Sequence, residues 1–234
     1  MPAPDPALRS SSAHVIVGMD ALRVDAQLPI DDDTEHHLRR VLRLRDGEIV
    51  SATDGAGSWR LSTVVAGDGG WRLEPTTACV TVAARPVPVE IASAMPKGDR
   101  LEWLVQKVAE VGADRLTLLH CERSVVRWKP ARAEAQRARL QRVADEACRQ
   151  SRRVWRMLVD GPVEAVDVLP DAVVAEPDGR ALAVGDRRIA IGPEGGWSPA
   201  ELALSRDRVS LSDAILRIET AAVVATTLCV TTDR

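Results

Sequence analysis

The feature that most constrains the fold is a change of rhythm near residue 85. Beyond it, strand-like runs and helical runs alternate almost to the end of the chain: "VEIASAM", "DRLEWLVQKVAEVG", "RLTLLH", a long helical stretch entered through Pro130, then "AVVAEP", "RIAIGP", "VSL" and "ETAAVVATTLCV". In the first helix Leu101, Leu104, Val105, Val108 and Val111 share one face, and Gly112 supplies the stop. Strands alternating with helices over roughly 150 residues specify an α/β domain with a parallel sheet covered on both faces.

The N-terminal part reads differently. Short β-like runs ("EIVSAT", "SWRLSTVVA", "WRLEPT") are separated by the turn signals Asp46-Gly47, Asp54-Gly55 and Asp68-Gly69-Gly70, as in a small antiparallel barrel or meander. One helix is expected ahead of them over "DDTEHHLRRVLRL", capped by Asp32 or Asp33. "AARPVPVE", residues 83–90, has two prolines and reads as the linker. Two domains are therefore expected, 1–84 and 85–234, a division the chain's 234 residues permit.

Composition removes several classes of function. With 45% hydrophobic and 28% charged residues the chain is globular; no stretch approaches a membrane span, and "MPAPDPALRSSSA" lacks the apolar core of a signal peptide. A cytoplasmic protein without membrane contact is the expectation. The four cysteines form no C-x-x-C pair, and the adjacent His36 and His37 point in different directions on a helix, so no metal site is expected. There is no Phe and no Tyr, which leaves base stacking to six Trp residues or to Arg. The net charge of −3 conceals an asymmetry: residues 123–156 carry eleven basic and three acidic side chains, whereas residues 161–234 carry seven and twelve. A block so one-sided in an acidic protein suits a polyanion.

No G-x-G-x-x-G, Walker A, G-x-S-x-G or H-E-x-x-H sequence is present. What remains is crowded near the C-terminus. In "IGPEGGWSPAEL" (191–202) a short buried strand runs into a glycine turn and then a well-marked helix start, with Ser198 as N-cap, Pro199 at the first position and Glu201 closing a capping box. "LSDAILRIETAA" (211–222) follows the next strand and sets Arg217 and Glu219 beside another helix start. Such a pair is either a structural salt bridge or the polar lining of a crevice at the strand ends, where open α/β sheets bind ligands.

Taken in order and with their spacing, "KGDRLEWLVQKVAEVG", "ERSVVRW", "RQSRR", "IGPEGGWSPAE" and "ILRIETAA" resemble the RsmE family of 16S ribosomal RNA methyltransferases, of the SPOUT superfamily. "HHLRRVLRLRDGEIV" is similar to that family's small PUA-like RNA-binding β-barrel. The resemblance implies S-adenosyl-L-methionine as cofactor and N3 of a uridine in the small-subunit decoding region as methyl acceptor. It implies 16S rRNA, within the small ribosomal subunit, as partner, and a homodimer. It also implies a SPOUT-type parallel sheet with a C-terminal trefoil knot, a rare exception to the rule that chains do not thread their own loops.

Carried over residue by residue, the resemblance places the cofactor against Glu176, Pro177, Ile191, Gly192, Pro193, Gly195, Gly196, Leu211, Ala214, Ile215 and Leu216. The glycines would let backbone approach it without a side-chain clash. Arg217 would supply positive charge to the uracil oxygens, with Glu219 orienting it or Glu194 assisting proton removal. Both carboxylates have the alternative of simply holding the loops. RNA contacts are expected from Arg39, Arg40, Arg43, Lys97, Arg100, Lys107, Arg123, Gln150, Ser151, Arg152 and Arg153. Arg149 and Ser212 depart from the family pattern, standing where many relatives have Glu and Gly. Two other readings are a SPOUT enzyme for a different RNA position and a non-catalytic ribosome-assembly factor.

Overall fold

Residues 5–18, 22, 27–67 and 70–231 are described by the computed structural model. The chain divides into two units: Met1–Ala84 with Cys148–Arg156, and Arg85–Ala147 with Met157–Arg234.

The first unit contains α1 (Pro6–Ser10), β1 (His14–Ile16), β2 (Leu28–Pro29), α2 (Asp32–His36), β3 (Ile49–Thr53), β4 (Ser58–Gly67), β5 (Gly70–Pro75) and β6 (Val80–Thr81). The strands form one sheet in the order β1-β3-β4-β5-β2, with β6 also on β4. All pairings are antiparallel except β1 with β3. Inward-facing Val15, Leu28, Val50, Ala52, Val64 and Leu73 close over Leu38. The expected turn at Asp68-Gly69 lies outside the described residues.

The helix expected over "DDTEHHLRRVLRL" is shorter and broken. Its cap is Asp31, not Asp32 or Asp33: the Asp31 carboxylate accepts the Thr34 N–H at 2.7 Å. After His36 the backbone widens into a π-turn over His37–Val41, and Arg43 takes a left-handed φ of 55°. Leu38 is the one buried side chain from Asp32 to Val41, too little apolar surface to hold a long amphipathic helix on the sheet.

Cys148–Arg156, expected within the second domain, packs with the first unit. The Arg156 N–H donates to Gly55 O and the Gly57 N–H to Val154 O, both at 2.9 Å, and Trp155 Nε1–H reaches Val82 O at 3.1 Å. Val154 joins Leu8 and Trp59 in a small apolar cluster. Gly57, at φ 99°, lies so close under the Trp155 ring that a Cβ there would sit 2.3 Å from it.

In the second unit the elements are β7 (Glu90–Ala94), α3 (Arg100–Val111), β8 (Arg115–His120), α4 (Pro130–Gln150, whose last residues count with the first unit), β9 (Leu158–Glu164), β10 (Val173–Ala181), β11 (Arg188–Ile191), α5 (Pro199–Leu204), β12 (Asp207–Ser210) and α6 (Ile218–Thr231). The sheet is parallel throughout, in the order β12-β10-β11-β7-β8-β9. Its middle strands, "EIASA" and "RIAI", are buried on both faces, as parallel strands under two helical layers must be. In α3, Leu101, Leu104, Val105 and Val108 are buried and Val111 only partly, and α3 packs against α6.

β9 has no counterpart among the strands expected from the sequence, because "LVDGPVE" is interrupted by Gly161-Pro162 and buries only Val159. β10 runs beyond "AVVAEP": it pairs with β12 up to Ala175, leaves the ladder, and returns at Arg180. At Gly179 its backbone passes so close to Val209 that a Cβ would lie 2.4 Å from the Val209 carbonyl carbon. No helix among the described residues is long and apolar enough to cross a membrane.

Candidate cofactor pocket and catalytic centre

β12, β10 and β11 lie side by side, and the loops leaving the carboxyl ends of β11 and β12, together with residues 175–177 where β10 leaves the ladder, enclose a cavity of about 470 Å3. All the expected cofactor residues line it except Gly195, and Glu194 and Arg217 line it as well. Ser212, within the expected cofactor stretch, lines it too, and Ala175, Trp197, Ser210, Ile218 and Ala221 also contribute, although the sequence did not single them out for this pocket. They are neighbours of the motif residues in the same segments, so only the closing of those segments on one cavity identifies them.

The "GPEGGW" loop is fixed at both ends. Ser198 Oγ accepts the Glu201 N–H at 3.2 Å, and Glu201 Oε2 accepts the Ser198 N–H at 2.9 Å, the capping box expected from the sequence. The second Glu201 oxygen accepts the Glu122 N–H at 2.9 Å and so ties the start of α5 to the loop after β8. Arg123, expected on RNA, instead turns its guanidinium to this loop: Nη1 donates to Gly195 O and Trp197 O, each at 3.2 Å.

The three glycines do different jobs, where the sequence suggested one. Gly192 lies flat on the buried indole of Trp197, and a Cβ there would be 2.8 Å from Nε1. Gly196 has φ 68° and donates its N–H to Pro193 O at 2.9 Å in a tight turn. At Gly195 a Cβ would make no more than ordinary contact with Arg123, nearest its Cβ at 3.4 Å.

In the loop after β12, Ser212 Oγ accepts the Ala214 N–H and Ser212 O accepts the Ser210 hydroxyl, both at 3.2 Å. Ser212 has no left-handed φ, so it does not need a glycine's freedom. Ile215 is 91% exposed at the pocket rim. Arg217 is exposed along the pocket, and no described residue pairs with its guanidinium. Its carbonyl accepts the Ala221 N–H at 2.8 Å as α6 begins.

Glu219, in the first turn of α6, is only 7% exposed. Arg100, from the first turn of α3, reaches it: Nη1 is 3.8 Å from Glu219 Oε2, while Nη2 is 3.4 Å from Glu194 Oε1. The residue expected on RNA therefore lies between the two candidate catalytic carboxylates. Across the cavity, burial pushes the Glu176 carboxyl above its usual range; Arg208 opposes that shift and Asp178 adds to it.

The remaining basic residues divide by exposure. Arg39, Arg40 and Arg43 are on the surface of the first unit, Arg39 ion-paired with Glu35 at 2.7 Å and stacked over Trp71, its guanidinium carbon 5.4 Å from the ring centre. Lys97 and Gln150 are exposed, and Lys107 is held by Glu110 at 2.5 Å. Ser151 is half-buried, its hydroxyl donating to Cys148 O at 3.5 Å. Arg152, at φ 57°, donates to Ser11 O at 2.9 Å. Arg153 is buried, 6% exposed, which takes it off any phosphate-facing surface. No cluster of metal-ligating residues occurs among the described residues.

Comparison with known proteins agrees with this architecture. Residues 83–230 match the model of an RNA methyltransferase domain, and residues 30–70 match an RNA methyltransferase PUA domain. The ribosomal RNA small subunit methyltransferase E of Mycobacterium bovis is 34% identical over 84% of this chain and 83% of its own length. The Bacillus subtilis protein of the same name is 28% identical over 84% and 86%. The crystal structure of the Neisseria gonorrhoeae ribosomal RNA small subunit methyltransferase E, bound to S-adenosyl methionine, shares the fold with a TM-score of 0.82 at 24% identity, over 94% of this chain and 97% of that one. With an RNA methyltransferase domain over most of its length and a PUA domain ahead of it, the chain belongs to the RsmE family of ribosomal RNA small subunit methyltransferases.

Proposed function

We propose that this protein uses S-adenosyl-L-methionine to methylate N3 of a uridine in 16S rRNA, the uracil at position 1498. The observation that carries the reading is the convergence of three segments on one pocket, with the guanidinium of Arg217 along it and unpaired among the described residues. The cavity is of a size for one small cofactor, and its lining suits this one. Ile191, Leu211, Ile215 and Leu216 offer apolar walls for an adenine, and Glu176 offers a polar group. The cofactor supplies a methyl group on an electron-poor sulfonium.

Since methyl transfer is a single displacement, the protein's task is to place the uracil and manage its charge. As the N3 proton leaves, negative charge spreads onto O2 and O4, and Arg217 meets it without first having to break an ion pair. On this reading Glu194, 41% exposed at the rim, would accept the proton, and buried Glu219 would orient the turn that carries Arg217.

Exposed Arg39, Arg40, Arg43 and Lys97 would bind RNA phosphates in the small subunit. The exposed Ile215 is apolar surface for a second copy to cover, in keeping with a homodimer. The C-terminal trefoil knot draws support from the strand order β12-β10-β11-β7 and the close passage of Gly179 over Val209. The site of action on this reading is the cytoplasm.

The test is incubation with S-adenosyl-L-methionine and unmethylated small subunits, followed by mass spectrometry of the digested RNA. New 3-methyluridine is expected. Arg217→Ala should lower kcat by about a hundredfold or more while cofactor affinity holds. Subunit binding without any methylated nucleoside would favour an assembly factor, and a different nucleoside would move the target.

A further inference from the structure

The geometry points to Arg100 as a positioning residue of the methyl-transfer centre: it joins the loop after β11 to the start of α6 through Glu194 and Glu219, so that Arg217 remains free for the substrate. The inference rests on reading the pocket as a methyl-transfer site.

Glu194 lies in the loop after β11 and Glu219 in the first turn of α6, 94 and 119 residues from Arg100 in sequence, and its guanidinium reaches both. The anchor itself is held: Arg100 Nε donates to Lys97 O at 3.3 Å, and the helix behind it is pinned by buried Leu101 and Leu104. Glu219 is the more demanding partner. Its Oε2 is buried and accepts no hydrogen bond among the described residues, so the neighbouring guanidinium is its compensating charge. The N-terminal turn of α6 adds a favourable dipole.

Arg217 and Glu219 are two residues apart at the start of one helix, so fixing the Glu219 side chain fixes the turn that carries Arg217. Each guanidinium then has a separate task. Arg100 is occupied by the two carboxylates, and Arg217, with no carboxylate partner among the described residues, faces the pocket. Had Glu219 paired with Arg217, the substrate would have to compete for that charge.

The alternative for Arg100 is a phosphate contact, and the two roles separate kinetically. Arg100→Ala is expected to lower kcat on small subunits ten- to a hundredfold while KM for the subunit stays within about twofold. The salt dependence of RNA binding should match the wild type, because no phosphate contact is lost. Arg100→Lys, which keeps the charge on a well-buried helix, should recover part of kcat and guards against a folding defect. In the double variant Arg100→Ala/Glu219→Gln the loss should not exceed that of the worse single variant, since both act on one turn.

Unchanged kcat with a raised KM and a salt slope shallower by about one would overturn the inference in favour of a phosphate contact. Independent, multiplying losses in the double variant would overturn it too. A wild type that leaves no methylated nucleoside would sink the reading of the pocket and the role of Arg100 with it. A methylating wild type equalled by Arg100→Ala would sink the role alone.

Discussion

The ring of His14 donates from Nε2 to the main-chain oxygen of Arg153 at 3.1 Å, while Nδ1 lies 2.8 Å from Ser51 Oγ. A carbonyl only accepts, so Nε2 carries the proton and Nδ1 receives the serine hydroxyl. The site is built for a neutral imidazole. Burial pulls its pKa down to about 4; the bond to Arg153 works against that, and the charges of Arg152 and Arg149 add to it. This contact helps fasten residues 148–156 to the first unit.

A dependence of stability on pH follows. The unfolded chain takes up a proton on His14 below about pH 6.5, whereas the folded chain resists until about pH 4. The folded-state pKa is lowered, so the contribution is complete above pH 6.5 and lost as pH falls towards 4, amounting to about 3 kcal/mol. Urea unfolding at several pH values between 4 and 7.5 measures it. His14→Gln should be less stable than the wild type at pH 7.5, with the gap narrowing on acidification. A constant gap would rule out a neutral ring.

Gly192 and Gly195 should respond differently to alanine. At Gly192 the new Cβ meets the buried Trp197 indole at 2.8 Å, overpacking that costs about 1–3 kcal/mol and displaces a pocket wall. At Gly195 the nearest atom is at 3.4 Å, and a change within about 0.5 kcal/mol is expected. Thermal unfolding with and without S-adenosyl-L-methionine should show Gly192→Ala losing both stability and cofactor stabilisation. Equal behaviour of the two variants would refute the assignment.

The Glu201 carboxylate serves two backbone segments at once. Glu201→Ala leaves the buried Ser198 N–H and the half-buried Glu122 N–H without their acceptor and should cost about 2–4 kcal/mol. Glu201→Gln retains one oxygen and should cost about half as much. Chemical denaturation gives the ranking directly.

RNA binding should weaken steeply with salt. Arg40→Ala or Arg43→Ala, at exposed positions, should each reduce the log–log slope by about one. Arg153→Ala should leave the slope of the folded protein unchanged and lower its melting temperature instead, since that side chain is buried. Filter binding across a salt series, beside a melting curve, separates the two effects.

Features written locally were legible. Ser198, Pro199 and Glu201 specify their helix start within four residues, and the continuous apolar runs of β7 and β11 announce a covered parallel sheet. Most of the pocket residues could be named because they sit in two contiguous motifs whose family resemblance carries them, Glu176 and Pro177 on β10 standing apart. What escaped is set by partners far off in sequence. Nothing near Arg100 says that Glu194, 94 positions away, will meet its guanidinium. The same holds for Arg123 and the carbonyl of Gly195. A side chain's neighbours decide whether an arginine faces solvent or its own backbone, and Arg153 was misplaced for that reason. The cap expected at Asp32 or Asp33 falls at Asp31 because three consecutive acids offer the same chemistry, and only the entry angle of the chain selects one.

The return of Cys148–Arg156 to the first unit bears on the order in which the molecule can be made. During synthesis the N-terminal sheet emerges first, yet it must wait until residue 156 has left the ribosome before Trp155 can cover Gly57 and Val154 can join Leu8 and Trp59. Severing the chain at residue 84 would give a first fragment with an uncovered apolar patch and a second with a stranded tryptophan. Neither half is a free-standing module, and the PUA part is finished only by a piece of the methyltransferase domain's sequence.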